Sequence, residues 1–196
     1  ADMLGDIAAK CGVPHVLTLD GEGGGSLADQ SSGLDADFPV ATAAPDDVSA
    51  IVYTSGTTGR PKGAMMTHAL TEWNAKTLHQ AWGWRPEDVL LHTNPIAYGL
   101  FGTVNLVLMN GTGMIFLPKF DAEAVIGLLP RTTVFIGVPT YYTRLLAHSG
   151  FTAEVCCNMR LFVSGSAPLR SEIFHTFRER TGHVLLDRYG MTETLM

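Results

Sequence analysis

Residues 53–63 read Tyr-Thr-Ser-Gly-Thr-Thr-Gly-Arg-Pro-Lys-Gly, directly after an apolar run at residues 50–53. Three glycines, the hydroxyls of Thr54, Ser55, Thr57 and Thr58, and one lysine, Lys62, fall within eleven positions. Glycine lets backbone N–H groups come close to an anion. Each hydroxyl can donate an O–H, and lysine adds a compact positive charge. This is the chemistry of a polyphosphate cradle, although the same composition also suits a surface turn. It is not the ordinary G-x-x-x-x-G-K-[ST] loop, because Pro61 precedes Lys62 and Gly63 follows it.

Outward from this loop, strands and helices alternate. A strand is expected at residues 49–53. Thr67 then reads as the N-cap of a helix running to about Trp82. Further strands are expected at 89–92, 114–117, 133–138, 161–164 and 183–187. Helices are expected at 100–108, 121–129 (capped by Asp121 and stopped before Pro130), 140–148 and 169–180, the last ended by Gly182. Several of these strands are continuous apolar runs, which points to an α/β fold with a mostly parallel sheet flanked by helices. In such sheets ligands bind at the C-terminal ends of the strands. Upstream, a helix already under way at residues 3–10 suggests a missing or processed N-terminus. Residues 15–19 read as a strand, and the Gly/Ser/Asp-rich stretch 20–47 as a mobile connection.

At 196 residues the chain suits one domain, or one and a part. With 46% hydrophobic and 16% charged residues it can build a core, which excludes a disordered chain. A net charge of −6 argues against nucleic acid or a polybasic membrane contact. No 18-residue apolar span is present, so no membrane-spanning helix is expected. The three cysteines show no C-x-x-C pair, which fits a reducing compartment, and a cytoplasmic location is expected. The seven histidines show no metal-ligand spacing. Trp73, Trp82 and Trp84 are expected to bury area at a helix edge, and Cys156-Cys157 to be structural.

Two further motifs follow strand ends. Tyr189-Gly190-Met191-Thr192-Glu193-Thr194 offers an aromatic face for a purine, a hydroxyl for a phosphate and a carboxylate for a hard cation such as Mg²⁺. Read alone, it is more simply a strand-to-loop turn. Ser164-Gly165-Ser166-Ala167-Pro168-Leu169 reads as a helix-initiating turn. Together with T-S-G-T-T-G-x-P-K-G at 54–63, these segments resemble the signature motifs of the acyl-adenylate-forming superfamily. The resemblance covers the chain from about Val13 to its end.

The resemblance implies an ATP-binding site in which Thr54, Ser55, Gly56, Thr57, Thr58, Gly59 and Lys62 wrap phosphates. Gly165, Ser166, Ala167 and Pro168 would lie beside adenine, with Tyr189 packed on the ring and Gly190 and Met191 alongside. Thr192 would contact the α-phosphate, and Glu193 would bind Mg²⁺. The segment Gly137-Val138-Pro139-Thr140-Tyr141-Tyr142 with Arg144 resembles the wall of the acyl pocket. Core packing for the tyrosines and a solvated helix face for Arg144 stand as the alternative. Guanidinium binds carboxylate in a bidentate fork, so Arg144 is the candidate clamp for a second carboxylate.

Residues 114–121, 137–140, 160–168 and 188–194 look most like malonyl-CoA synthetases. The function implied is ligation of malonate, or a related small dicarboxylate, to coenzyme A through an acyl-adenylate, with ATP, Mg²⁺ and CoA. A noncatalytic remnant, or a ligase for another carboxylic acid, is the alternative. The run Pro95-Ile96-Ala97-Tyr98-Gly99-Leu100-Phe101 departs from the family: it lacks the usual histidine and is about two residues short. Members of the family continue past the counterpart of Glu193 into a lid domain bearing a catalytic lysine. By that comparison residues 1–196 read as part of the large AMP-binding domain, without the lid. Oligomeric state is not legible in the sequence.

Overall fold

The computed structural model describes residues 2–54 and 59–195. The chain divides into two units, residues 1–42 and 43–196.

In the first unit, helix α1 (Asp2–Lys10) matches the expected helix, and a second helix, α2 (Ser26–Ser31), lies inside the stretch expected to be a connection. The strand expected at 15–19 is absent, for want of a partner strand. Thr18 instead pairs with Ser26: its N–H donates to Ser26 Oγ at 2.9 Å, and its hydroxyl accepts from the Ser26 N–H at 3.1 Å. Gly25, at φ +126°, is pressed so closely on the Thr18 carbonyl that a Cβ would lie 2.4 Å from its oxygen.

The second unit opens with an antiparallel hairpin of β1 (Val48–Thr54) and β2 (Lys62–Thr67). Strand β2 was not expected. Its Gly63 pairs with Tyr53, and a Cβ there would meet Ile51 Cγ2 at 2.7 Å, so the close crossing requires glycine. Thr67 caps α3 (His68–Ala81), its hydroxyl accepting from the Leu70 N–H at 3.2 Å.

Five parallel strands follow: β3 (Val89–His92), β4 (Gly113–Phe116), β5 (Val134–Gly137), β6 (Leu161–Ser164) and β7 (Leu185–Asp187), in the order β4-β3-β5-β6-β7. Between β3 and β4 the expected single helix is three pieces: α4 (Ile96–Gly99), a π-helical turn (Leu100–Val104) and α5 (Asn105–Asn110). The remaining helices are α6 (Ala122–Leu128), α7 (Pro139–Ala147) and α8 (Ser171–Thr181). Asp121 caps α6 by accepting from the Ala124 N–H at 2.9 Å, and Gly182 ends α8 at φ +76°. Helix α6 stops before Pro130, as expected, and a 3₁₀ turn, Leu129–Arg131, carries the chain through the proline.

Alternation along the strands divides the core. Leu91, Phe135 and Phe162 face a cluster with Tyr142, Leu145, Phe151 and Phe177, under α6, α7 and α8. Leu90, Val134, Ile136 and Val163 face Leu78, Trp82, Trp84, Leu106 and Val107, under α3 and α5. Covering on both faces explains why the strands read as unbroken apolar runs. Trp82 and Trp84 are buried as expected; Trp73 is not, pointing outward from α3 at 71% exposure. Cys156 is buried, whereas Cys157 is exposed.

The N-terminal ends of the strands are tied by charge. Asp88 accepts from Arg160 Nε at 3.0 Å, from the Thr133 hydroxyl at 2.8 Å and from the Arg85 N–H at 2.8 Å. Arg160 Nη1 donates to the Trp82 carbonyl at 3.0 Å. Burial works to raise the Asp88 carboxyl, but the Arg160, Thr133 and Arg85 donors outweigh it and hold the group below its ordinary value.

Candidate functional site

A cavity of about 590 Å³ opens at the other end of the sheet. Its wall is drawn from the residues just past the strands: Asn94 after β3, Val138 after β5, Gly165 and Ser166 after β6, and Arg188 after β7. Gly190, Met191 and Thr192 add to it, as do Val52 and Met66 from the hairpin. This is where a doubly covered parallel sheet leaves room for a ligand, because each chain turns away to its helix and bares polar backbone.

The sequence candidates divide by position. Gly165, Ser166, Gly190, Met191 and Thr192 come together on the cavity wall. Ala167, Pro168 and Tyr189 are exposed beside it, Tyr189 at 88%. Glu193 is also exposed, in a 3₁₀ turn (Thr192–Thr194) that begins with the cavity residue Thr192. Thr54 and Lys62 are Cα partners at the loop end of the hairpin, where residues 55–61 join the strands, and Gly59 has φ +78°. Ser55, Gly56, Thr57 and Thr58 lie outside the described residues. Of the tyrosines, Tyr141 lines the cavity, while Tyr142 is fully buried and donates its hydroxyl to the Val163 carbonyl at 2.6 Å. Arg144 is not on the cavity wall. It lies 4.9 Å over the Phe120 ring, which stacks at 4.0 Å on Tyr141.

Two features distinguish this end of the molecule. Ser166 holds φ +68°, a left-handed conformation that costs a non-glycine residue on the order of 1 kcal/mol or more. Polar accounting is also incomplete. Among the described residues, six buried side-chain atoms have no hydrogen-bond partner, and four of them cluster at these strand ends: His92 Nε2, Thr93 Oγ1, Ser164 Oγ and Arg188 Nε. Buried polar groups are normally paired; of these four, Arg188 lines the cavity itself and the others lie on the strand ends behind it.

His92 escaped the sequence reading, and Arg188, although it opens the segment 188–194, was assigned no role by it. A lone histidine ending a strand, or an arginine before a tyrosine, carries no spacing signal. His92 is 2% exposed, stacks on Phe116 at 5.5 Å and has its Nδ1 3.5 Å from the Thr103 hydroxyl. It packs directly behind Gly99, where a Cβ would stand 2.2 Å from the imidazole Cε1. Gly99 and Thr103 both line the cavity, so His92 backs its wall. Burial holds the imidazole below its ordinary value of 6.5, against an opposing pull from the Asn94 backbone. The folded state therefore keeps His92 neutral where the unfolded chain takes up a proton. Stability is expected to be full above about pH 6.5 and to fall as pH drops toward the lower folded value. Urea midpoints from pH 7.5 down to 5 check this, and His92→Gln should flatten the profile.

No helix among the described residues is long and apolar enough to cross a membrane, and no group of three or more metal-ligating side chains is found among them. The profile of the AMP-binding enzyme family matches residues 4–196. The mitochondrial malonate–CoA ligase of Mus musculus is 41% identical over 162 residues, covering 73% of this chain and 28% of its own. The corresponding Xenopus laevis enzyme is 35% identical over 215 residues, covering 98% of this chain and 36% of its own. The crystal structure of ATP-bound MatB from Rhodopseudomonas palustris superimposes with a TM-score of 0.93 at 47% identity, covering all of this chain and 39% of that one. The chain thus spans about a third of the length of the curated relatives it matches. It belongs to the AMP-binding enzyme family.

Proposed function

We propose that the protein carrying this chain is an ATP-dependent acid–CoA ligase that works through an acyl-adenylate, with malonate or a related small dicarboxylate as its acid. The observation that carries the proposal is the cavity, where residues of two separate family motifs meet at the strand ends beside unpaired polar groups. The names of the mouse, frog and bacterial relatives support the acid and the nucleotide.

In this proposal the carboxylate attacks the α-phosphorus of ATP and pyrophosphate leaves. The CoA thiol then attacks the acyl carbonyl and AMP leaves. No protein nucleophile is needed, so the side chains act by positioning and charge stabilisation. Lys62 and the hydroxyls of the 54–59 loop hold phosphate oxygens, Thr192 donates to the α-phosphate, and Tyr189 covers the adenine. Glu193 is suited to a magnesium ion: it is exposed, forms no ion pair among the described residues, and follows the cavity residue Thr192. One carboxylate is enough where nucleotide phosphates complete the shell, and the ion would offset phosphate charge. Arg144 is assigned to the acid's second carboxylate, from the helix that also carries the cavity residue Tyr141.

The expected cytoplasmic location becomes coarser. The mouse relative is named as mitochondrial, and the proposal keeps only a reducing compartment, which the free thiols of Cys11, Cys156 and Cys157 suit.

Adenylate formation across malonate, methylmalonate, acetate and benzoate, measured with the whole gene product, tests the substrate. A site that pairs a second carboxylate should favour malonate over acetate by more than about tenfold. Equal or absent activity with malonate overturns the assignment.

A further inference from the structure

Arg188 opens the segment 188–194 quoted above but has no role assigned to it there, and its surroundings are unusual. Among the described residues lining the cavity it is the one charged side chain, and none is a carboxylate. The ion pairs found among the described residues are Lys76–Glu72 and Arg160–Asp88, and Arg188 is in neither. Its Nε is buried without a hydrogen-bond partner. Its backbone is fixed by an N–H bond to the Ser164 carbonyl at 2.9 Å. The side chain crosses directly under Gly165, where a Cβ would stand 3.0 Å from Nε and 3.1 Å from Cγ. Gly165 is therefore the residue that lets the guanidinium reach the cavity.

A half-buried guanidinium without a counter-charge is costly. Burial already pulls its pKa downward. A protein gains nothing from this arrangement unless something negative enters the cavity, where a fork of N–H donors matches carboxylate or phosphate oxygens.

We propose that Arg188 binds an oxyanion of the ligand in this cavity, either the carboxylate of the acid or the phosphate of the nucleotide, as a substrate-contacting residue. The proposal deepens the ligase reading above and rests on it for the identity of the two anions.

The test uses Arg188→Met and Arg188→Lys in the whole gene product. A purely structural arginine would lower the melting temperature when replaced. A binding arginine held unpaired should leave it unchanged or raise it, while KM rises about tenfold or more for one anionic substrate. A rise for the acid assigns the carboxylate, and a rise for ATP assigns the phosphate. Arg188→Lys should recover part of the loss, because it restores charge without the fork. Thermal shifts with AMP alone and malonate alone give a readout independent of turnover: wild type should be stabilised by both, and Arg188→Met by only one. The proposal is overturned if Arg188→Met melts lower with both KM values unchanged, or if it responds to both ligands as wild type does. Failure of the ligase reading looks different. Wild type would then form no adenylate with any acid of the panel, while the thermal shifts still report which anion Arg188 holds.

Discussion

Asp88→Ala should lower stability by about 3–5 kcal/mol, the cost of breaking a buried ion pair from one side. Asp88 is 1% exposed and receives donors from Arg160, Thr133 and the Arg85 backbone. Truncation strands all of them and leaves the Arg160 guanidinium without its carboxylate. For a chain of this size the loss corresponds to a fall of roughly 10 °C in melting temperature. A second substitution decides whether the stranded charge is responsible. In Asp88→Ala/Arg160→Met the unpaired cation is gone, so the double variant should be more stable than Asp88→Ala alone. A single variant that melts within about 2 °C of wild type would show that the clip carries little energy. The carboxyl is held low in the fold, so the contribution is present above the ordinary aspartate range and lost as pH falls through the folded value.

Lys62→Ala and Glu193→Ala should each slow adenylate formation by about 10- to 100-fold, with little change in stability. Both side chains are exposed, so neither removal opens the core. Each would remove one charge-assisted interaction with the nucleotide, worth about 1.5–3 kcal/mol, and about 1.4 kcal/mol is a factor of ten in rate. Pyrophosphate release at saturating acid, measured in the whole gene product, gives the rate of this step. Wild-type rates in both variants would remove Lys62 and Glu193 from the site.

Much of the parallel sheet was legible because burial on both faces leaves an unmistakable trace. Residues 89–92 and 161–164 are apolar runs closed by polar residues, and both strands fall where expected. The caps at Thr67 and Asp121 were legible for a local reason: a short oxygen-bearing side chain ahead of a helix has one good use. Strand β2 was missed because its lysine, glycine, alanine and methionines carry little β signal, its one threonine reads as the cap of the next helix, and its pairing to β1 depends on a partner eight or more residues away. The π-helical turn was equally hidden, since apolar periodicity does not distinguish it from an α-helix. At the site, the motif residues announced themselves by order. Arg188 and His92 matter through what surrounds them, the missing counter-charge and the glycine in front of the ring, and neither is written in a local pattern.

The hairpin of β1 and β2 hydrogen-bonds within itself and, among the described residues, forms no ladder with the five-stranded sheet. Val52 and Met66 of that hairpin nevertheless face the same cavity as Gly165 and Arg188. An occupant of the cavity therefore touches both sheets at once and supplies cohesion that the backbone does not. Occupancy and the seating of the hairpin then become two views of a single equilibrium: whatever loosens the hairpin releases the occupant, and whatever fills the cavity slows the exchange of amide hydrogens along Val48–Thr54 and Lys62–Thr67.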